Sequence, residues 1–154
     1  MPKPKSKSQK LLTAEIAEQL LEDLGSSDGM MGVMVGIEAF TAIEDEAIEV
    51  FSGERVDLSL NGLTSLSDAA AESLSKYKGG LLSLEGLTSL SDAAAESLSK
   101  LKVNLYLQGL TSLSDAAAES LSKHKGGDLY LKGLKSLSDA AAESLSKHKD
   151  CFLP

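Results

Sequence analysis

The chain has 154 residues, room for one domain, and 42% of them are apolar, with no tryptophan and only 4% aromatics. Leucine and alanine must therefore build any core. Its formal charge of -8 includes +4 from Lys3, Lys5, Lys7 and Lys10, so the remainder sums to -12. An acidic body argues against general nucleic-acid binding, and no apolar run reaches membrane-spanning length. The lone Cys151 excludes an intrachain disulfide. Together these features point to a soluble cytoplasmic protein.

Residues 1–10 (MPKPKSKSQK) read as a disordered basic tail. Residues 11–32 read as an N-terminal cap helix and loop. Thr13 is placed to cap a helix running to about Leu24, with an apolar stripe of Ile16, Leu20, Leu21 and Leu24. Glycines 25 and 29 bracket the loop that follows.

Residues 33–154 carry about five copies of one unit. The stretch LTSLSDAAAESLSK begins at Leu63, Leu87 and Leu110, and returns at Leu134 with Lys135 for threonine; the spacings are 24, 23 and 24 residues, a solenoid period. A Leu-x-Leu strand precedes each copy, as in Leu58-Ser59-Leu60 and Leu105-Tyr106-Leu107. An earlier degenerate unit, Val35-Gly36-Ile37 with Phe40, Ile43, Asp45 and Phe51, sits in the same frame. Five strands are expected, near 33–38, 56–61, 81–85, 103–108 and 127–132. In each later unit a serine (Ser67, Ser91, Ser114, Ser138) stands where a helix N-cap is needed, followed by an aspartate that the helix dipole favours. Ala70, Ala71 and Leu74 and their equivalents make the buried stripe. Gly79-Gly80 is expected to stop the helix.

A unit of this size cannot stand alone. Burying its five leucines stabilises it by roughly 7–15 kcal/mol, while ordering each residue costs about 1–2 kcal/mol. Neighbouring units must complete the core. Strands joined by helix-bearing crossovers run parallel with right-handed connections. Strands stack about 4.8 Å apart and helices about 8–10 Å apart, so the strands should line the concave side.

The pattern resembles a leucine-rich repeat, with features of the ribonuclease-inhibitor-like and cysteine-containing subclasses; Leu66-Ser67-Asp68, Ala71 and Leu74 fall on the helical part of that frame. The resemblance implies an α/β solenoid, a horseshoe with a parallel concave sheet and convex helices. At Leu63, Leu87, Leu110 and Leu134 the chain departs from the family's asparagine or cysteine, which removes the side chain that bonds the loop backbone.

Outward strand positions escape the repeat. Alternation makes them Asp57, Ser59 and Asn61; Leu81, Ser83 and Glu85; Asn104, Tyr106 and Gln108; Asp128, Tyr130 and Lys132. Tyr106 and Tyr130 should lie side by side, as anchors for a protein partner or as a simple stack shielding the sheet. Asp68, Asp92, Asp115 and Asp139 form a ladder too widely spaced to share a metal ion; capping accounts for it. The lysines at 76, 78, 100, 102, 123, 125, 147 and 149 form a band at the helix ends, suited either to the helix dipole or to phosphate groups; Glu72, Glu96, Glu119 and Glu143 lie one turn away. His124 and His148 share a slot with Tyr77 and Leu101, which argues against catalysis. No nucleophile–base pair, phosphate loop, cofactor motif or metal cluster is evident. The reading is a non-enzymatic scaffold that binds a protein partner without cofactors. The alternative is a structural element that self-associates through its C-terminal end, where Leu129, Leu131 and Leu145 lack a capping unit unless Phe152 and Leu153 plug it.

Overall fold

The computed structural model describes residues 11–24, 34–36, 40–52 and 57–154. The basic tail at 1–10, the loop at 25–29 and Ile37 lie outside the described residues.

The chain alternates short strands with short helices: β1 (Leu11–Leu12), α1 (Ala14–Leu24), β2 (Met34–Gly36), β3 (Ala42–Ile43), α2 (Asp45–Ser52), β4 (Asp57–Ser59), α3 (Asp68–Leu74), β5 (Leu81–Ser83), α4 (Asp92–Ser99), β6 (Asn104–Tyr106), α5 (Asp115–Ser122), β7 (Leu129–Tyr130), α6 (Asp139–Ser146) and β8 (Cys151–Phe152). Strands β2-β4-β5-β6-β7-β8 form a parallel six-stranded sheet in chain order. Consecutive helices from α1 to α6 pack against one another in a second layer. The arrangement is α/β and consistent with a repeat solenoid.

The core lies between the layers. Leu58, Leu82, Leu105 and Leu129 from the strands, and Leu74, Leu98, Leu121 and Leu145 from the helices, are all 0% exposed. Leu63, Leu87, Leu110 and Leu134 are buried too, so apolar packing occupies the loop position where a polar bonding side chain was missing. The loop is held instead by its own backbone: the amides of Leu63, Leu87, Leu110 and Leu134 donate to the carbonyls three residues earlier at 3.0–3.3 Å. The glycine inside each turn permits close approach between coils. A Cβ on Gly86, Gly109 or Gly133 would overlap a carbonyl oxygen of the preceding coil, from Asn61, Glu85 or Gln108.

Each predicted serine cap forms. The Oγ of Ser67, Ser91, Ser114 and Ser138 accepts from the amide three residues on, at 3.0–3.1 Å. From α4 onward the same hydroxyl donates to the aspartate of the preceding coil: Ser91 to Asp68 at 2.5 Å, Ser114 to Asp92 and Ser138 to Asp115. The aspartate ladder thus ties coils together as well as facing helix dipoles.

The helix ends differ from expectation. The C-caps are Ser75, Lys100, Lys123 and Lys147, all right-handed, and no glycine terminates the helix. Instead the last turn tightens: the amides of Tyr77, Leu101, His124 and His148 donate three residues back at 2.9–3.1 Å. Ser75, Ser99, Ser122 and Ser146 add side-chain bonds to the glutamate carbonyls three residues earlier. This turn brings Tyr77, Leu101 and His124 into the core, where each is under 4% exposed. Gly79-Gly80 comes after that inward residue.

The N-terminal segment is closer to a repeat than to an unrelated cap. Thr13 does cap α1, its Oγ1 accepting from Ile16 N at 3.4 Å. But Leu11–Leu12 pairs in parallel with Ala42–Ile43 as a second, two-stranded sheet, in register Leu12↔Ile43, and α1 takes the place next to α2. The stripe is rotated from the expected one: Ala17 is 0% exposed and Ile16 is 36% exposed. Leu20 and Leu21 pack against the core. The side chain of Leu24 lies outside the described set. The degenerate unit falls as its alignment requires, with Val35 opposite Leu58 and Phe51 fully buried.

At the other end β8 adds a sixth strand to the five expected. Cys151 lies opposite Leu129 and Phe152 opposite Tyr130. Cys151 and Leu153 pack on the core, whereas Phe152 points outward and is 41% exposed. Only part of the expected plug therefore faces inward, yet it suffices to leave Leu129, Leu131 and Leu145 at 0% exposure. Among the described residues no helix is long and apolar enough to cross a membrane.

Candidate functional site

The sheet face opposite the helices collects the side chains that alternation assigns outward. Its central feature is a row of three rings. Tyr106 and Tyr130 stack with centroids 4.2 Å apart and planes 11° from parallel. Tyr130 stacks on Phe152 at 4.7 Å and 9°. Parallel strands place equivalent residues one strand spacing apart, so flat rings at the same register lie face to face. Lys132 holds its ammonium 5.9 Å from the Phe152 centroid, a cation–π distance.

Polar groups flank the rings and are mostly engaged with one another. Tyr130 donates its hydroxyl to Asp128 Oδ2 at 3.0 Å. The Tyr106 hydroxyl and the Asp128 carboxylate together push the Tyr130 phenol up to about 12. Asn104 Oδ1 accepts from the amide of Asp128 at 2.9 Å. Asn61 Oδ1 accepts from Ser83 Oγ at 2.7 Å and from the amide of Glu85 at 3.0 Å. Gln108 Nε2 donates to Glu85 Oε1 at 3.1 Å. Apart from the Tyr130–Asp128 bond, these bonds cross from one coil to the next.

Two residues expected to face outward are closed off, one of them, Ser59, an expected contact residue. Ser59 is 3% exposed and Ser83 is 6% exposed. Ser59 lies between Gly36 and Ser83 in the sheet, and Ser83 spends its hydroxyl on Asn61 Oδ1. Asp57, Asn61, Asn104, Tyr106, Gln108, Asp128 and Tyr130 are half-buried; Glu85 and Lys132 are exposed. Phe152 joins the row from β8, although it was not among the expected contact residues. Its signal was its place after Asp150-Cys151, where the Leu-x-Leu frame would begin a sixth strand.

A second polar arrangement lies under the helix ends. His148 Nδ1 sits 3.1 Å from the amide of Asp150, a group that can only donate, so this nitrogen is an acceptor. The neutral ring then carries its proton on Nε2, which faces His124 Nδ1 at 3.3 Å. His124 in turn donates from Nε2 to the Val103 carbonyl at 2.9 Å. The ring planes are 10° apart with centroids 5.6 Å apart, longer than the N···N distance by about a ring's width, so the imidazoles meet edge to edge. Burial holds the His124 pKa below its ordinary value, the Val103 carbonyl partly opposes this, and His148 adds to it. The relay is satisfied when both rings are neutral. Tyr77, in the same slot, donates to the Leu81 carbonyl at 3.0 Å, and burial followed by the Asp57 charge raises its pKa.

Among the described residues no three histidine, cysteine or acidic side chains converge to hold a metal ion. The helix-start aspartates Asp68, Asp92 and Asp115 each accept the hydroxyl of the next coil's capping serine. Comparison with protein-family models, with curated proteins and with solved structures finds no match to this chain.

Proposed function

We propose that the chain is a non-catalytic scaffold of the leucine-rich-repeat type, a right-handed horseshoe whose concave sheet binds a protein partner. The cytoplasm is its proposed compartment, and no cofactor takes part. The observation that carries this reading is the row Tyr106–Tyr130–Phe152, with Asp128, Gln108, Glu85 and Lys132 around it. Aromatic side chains with fixed polar neighbours lose little conformational freedom on binding and are frequent interface anchors.

The test is the Tyr106→Ala/Tyr130→Ala variant. Immobilised wild-type and variant chains are challenged with extract from the source cells, and captured proteins are quantified. Loss of two anchors costs at least about 2 kcal/mol, roughly thirtyfold in Kd. At least one captured protein should fall accordingly while the variant keeps its circular dichroism and Tm. Equal capture by both chains refutes the reading.

A second reading, self-association through the C-terminal end, has its own observation: β8 is an edge strand and carries the exposed Phe152. Light scattering over a concentration series decides it, since a chain that stays monomeric removes this reading and leaves the first intact.

A further inference from the structure

The helix ends carry a charge row that neither reading uses. Helices α3 to α6 hold no lysine in their last turns, but the lysine pairs that follow them, at 76 and 78, 100 and 102, 123 and 125, and 147 and 149, are all exposed. Consecutive packing of these helices sets the lysine pairs side by side along one edge of the helix layer. Grooves between successive helix ends join them into one surface. Lys100 and Lys102 line the groove shared with Lys76 and Lys78, and also the next one, shared with Lys123 and Lys125. Lys125 continues into a third groove with Lys147 and Lys149.

The charges are not spent inside the molecule. Among the described residues the only ion pair is Lys123–Glu119, at 3.5 Å with both side chains about two-thirds exposed. Such a pair contributes little. Glu72, Glu96 and Glu143 stand four residues before Lys76, Lys100 and Lys147 without closing on them. The helix carbonyls take their extra hydrogen bonds from Ser75, Ser99, Ser122 and Ser146, not from the lysines. A dipole alone does not call for the second lysine of each pair, which lies beyond the last turn.

We propose that this edge binds a slender linear polyanion, a single-file chain of phosphates of the linear polyphosphate kind. Lysine ammoniums are compact point charges on flexible stems and suit phosphate oxygens without demanding fixed geometry. A polyphosphate chain carries its charges more closely than the coils repeat, so each lysine meets an oxygen in any register. Width decides against larger polyanions. The exposed Glu72, Glu96, Glu119 and Glu143 lie one turn from the row, within about one Debye length of it at physiological salt. A duplex or a bilayer would face these carboxylates as well, whereas a single chain stays among the lysines.

The experiment is fluorescence anisotropy of end-labelled linear polyphosphate titrated with the full chain between about 50 and about 200 mM salt. Eight contacts predict a log–log salt slope of about -6, using the single-strand value of about 0.7 per contact. Replacing Lys100, Lys102, Lys123 and Lys125 by glutamine should weaken binding at least about tenfold at the lower salt and reduce the slope by about 3. The outer lysines at 76, 78, 147 and 149, replaced together, should do the same; they stand in if the central variant does not fold. Glutamine at Lys3, Lys5, Lys7 and Lys10 should leave most of the affinity. The Tyr106→Ala/Tyr130→Ala variant should leave all of it, which separates this proposal from the sheet-face reading. Binding unchanged in the folded lysine variant, or lost with the tail lysines, overturns the proposal. So does tighter binding of duplex DNA or anionic vesicles than of polyphosphate.

Discussion

Lowering the pH through the histidine range should destabilise this protein by way of His124. The ring is 2% exposed, and its folded pKa lies below the ordinary 6.5, chiefly through burial. Below 6.5 the unfolded chain therefore binds more protons than the folded one. The stabilisation is fully present above 6.5 and is lost as the pH falls from there towards the folded value. One group sets a slope of at most about 1.4 kcal/mol per pH unit. For a domain of this size that is about 3–6 °C in Tm per unit. Geometry gives the same direction: a proton on His124 Nδ1 would oppose the Nε2–H of His148.

The assay is thermal unfolding by circular dichroism from about pH 7.5 to about pH 5, on wild type and His124→Leu. Leucine is the control because Leu101 is buried in the equivalent slot at 1% exposure. The variant leaves the Val103 carbonyl without its donor, which costs roughly 1 kcal/mol at neutral pH. It also lacks the titrating ring, so the two stability curves should converge on acidification. Curves that stay parallel through the window would refute the reasoning. Nitrogen chemical shifts give an independent check, since the His124 ring should be the Nε2–H tautomer at pH above 6.5.

Three further outcomes are expected. Ser114→Ala removes a helix cap and the hydroxyl bonded to Asp92, and urea unfolding should show a loss of about 1.5–2.5 kcal/mol; adding Asp92→Ala should cost little more, and full additivity would show that the two are not coupled. Gly133→Ala should destabilise by at least about 2 kcal/mol, because the new Cβ overlaps the Gln108 carbonyl and the coils must part; a neutral result would mean that the coils lie further apart. Burial pushes the Cys151 thiol up from 9.0 to about 11, so its alkylation at mildly alkaline pH should be roughly a hundredfold slower than that of an unstructured peptide cysteine, and equal rates would place Cys151 outside the core.

The period, the strand positions, the serine caps and the leucine core were legible in the sequence because each rests on local rules. An alternating Leu-x-Leu, a serine before Asp-Ala-Ala-Ala and a turn glycine state their roles within a few residues. The sheet-face tyrosines were legible for the same reason, since period-two alternation and repeat spacing together place Tyr106 beside Tyr130. What depended on contacts between coils was not legible. Ser59 and Ser83 sit at outward positions, yet both are buried, Ser83 with its hydroxyl bonded to Asn61 of the preceding coil. Gly79-Gly80 has the look of a helix stop, but the inward turn of Tyr77 ends the helix first, because a buried ring under the last turn gains more than a glycine cap would give. The rotation of α1, which sends Ala17 inward and Ile16 outward, follows from pairing Leu12 with Ile43 across 31 residues. Sequence alone determined that the units repeat and must lean on one another. Tertiary structure decided which atoms meet across a gap of 22 to 24 residues: serine with aspartate, histidine with histidine, and Phe152 as the third ring. Those meetings depend on register and on the spacing between packed coils, quantities set by the assembled layers and carried by no single unit.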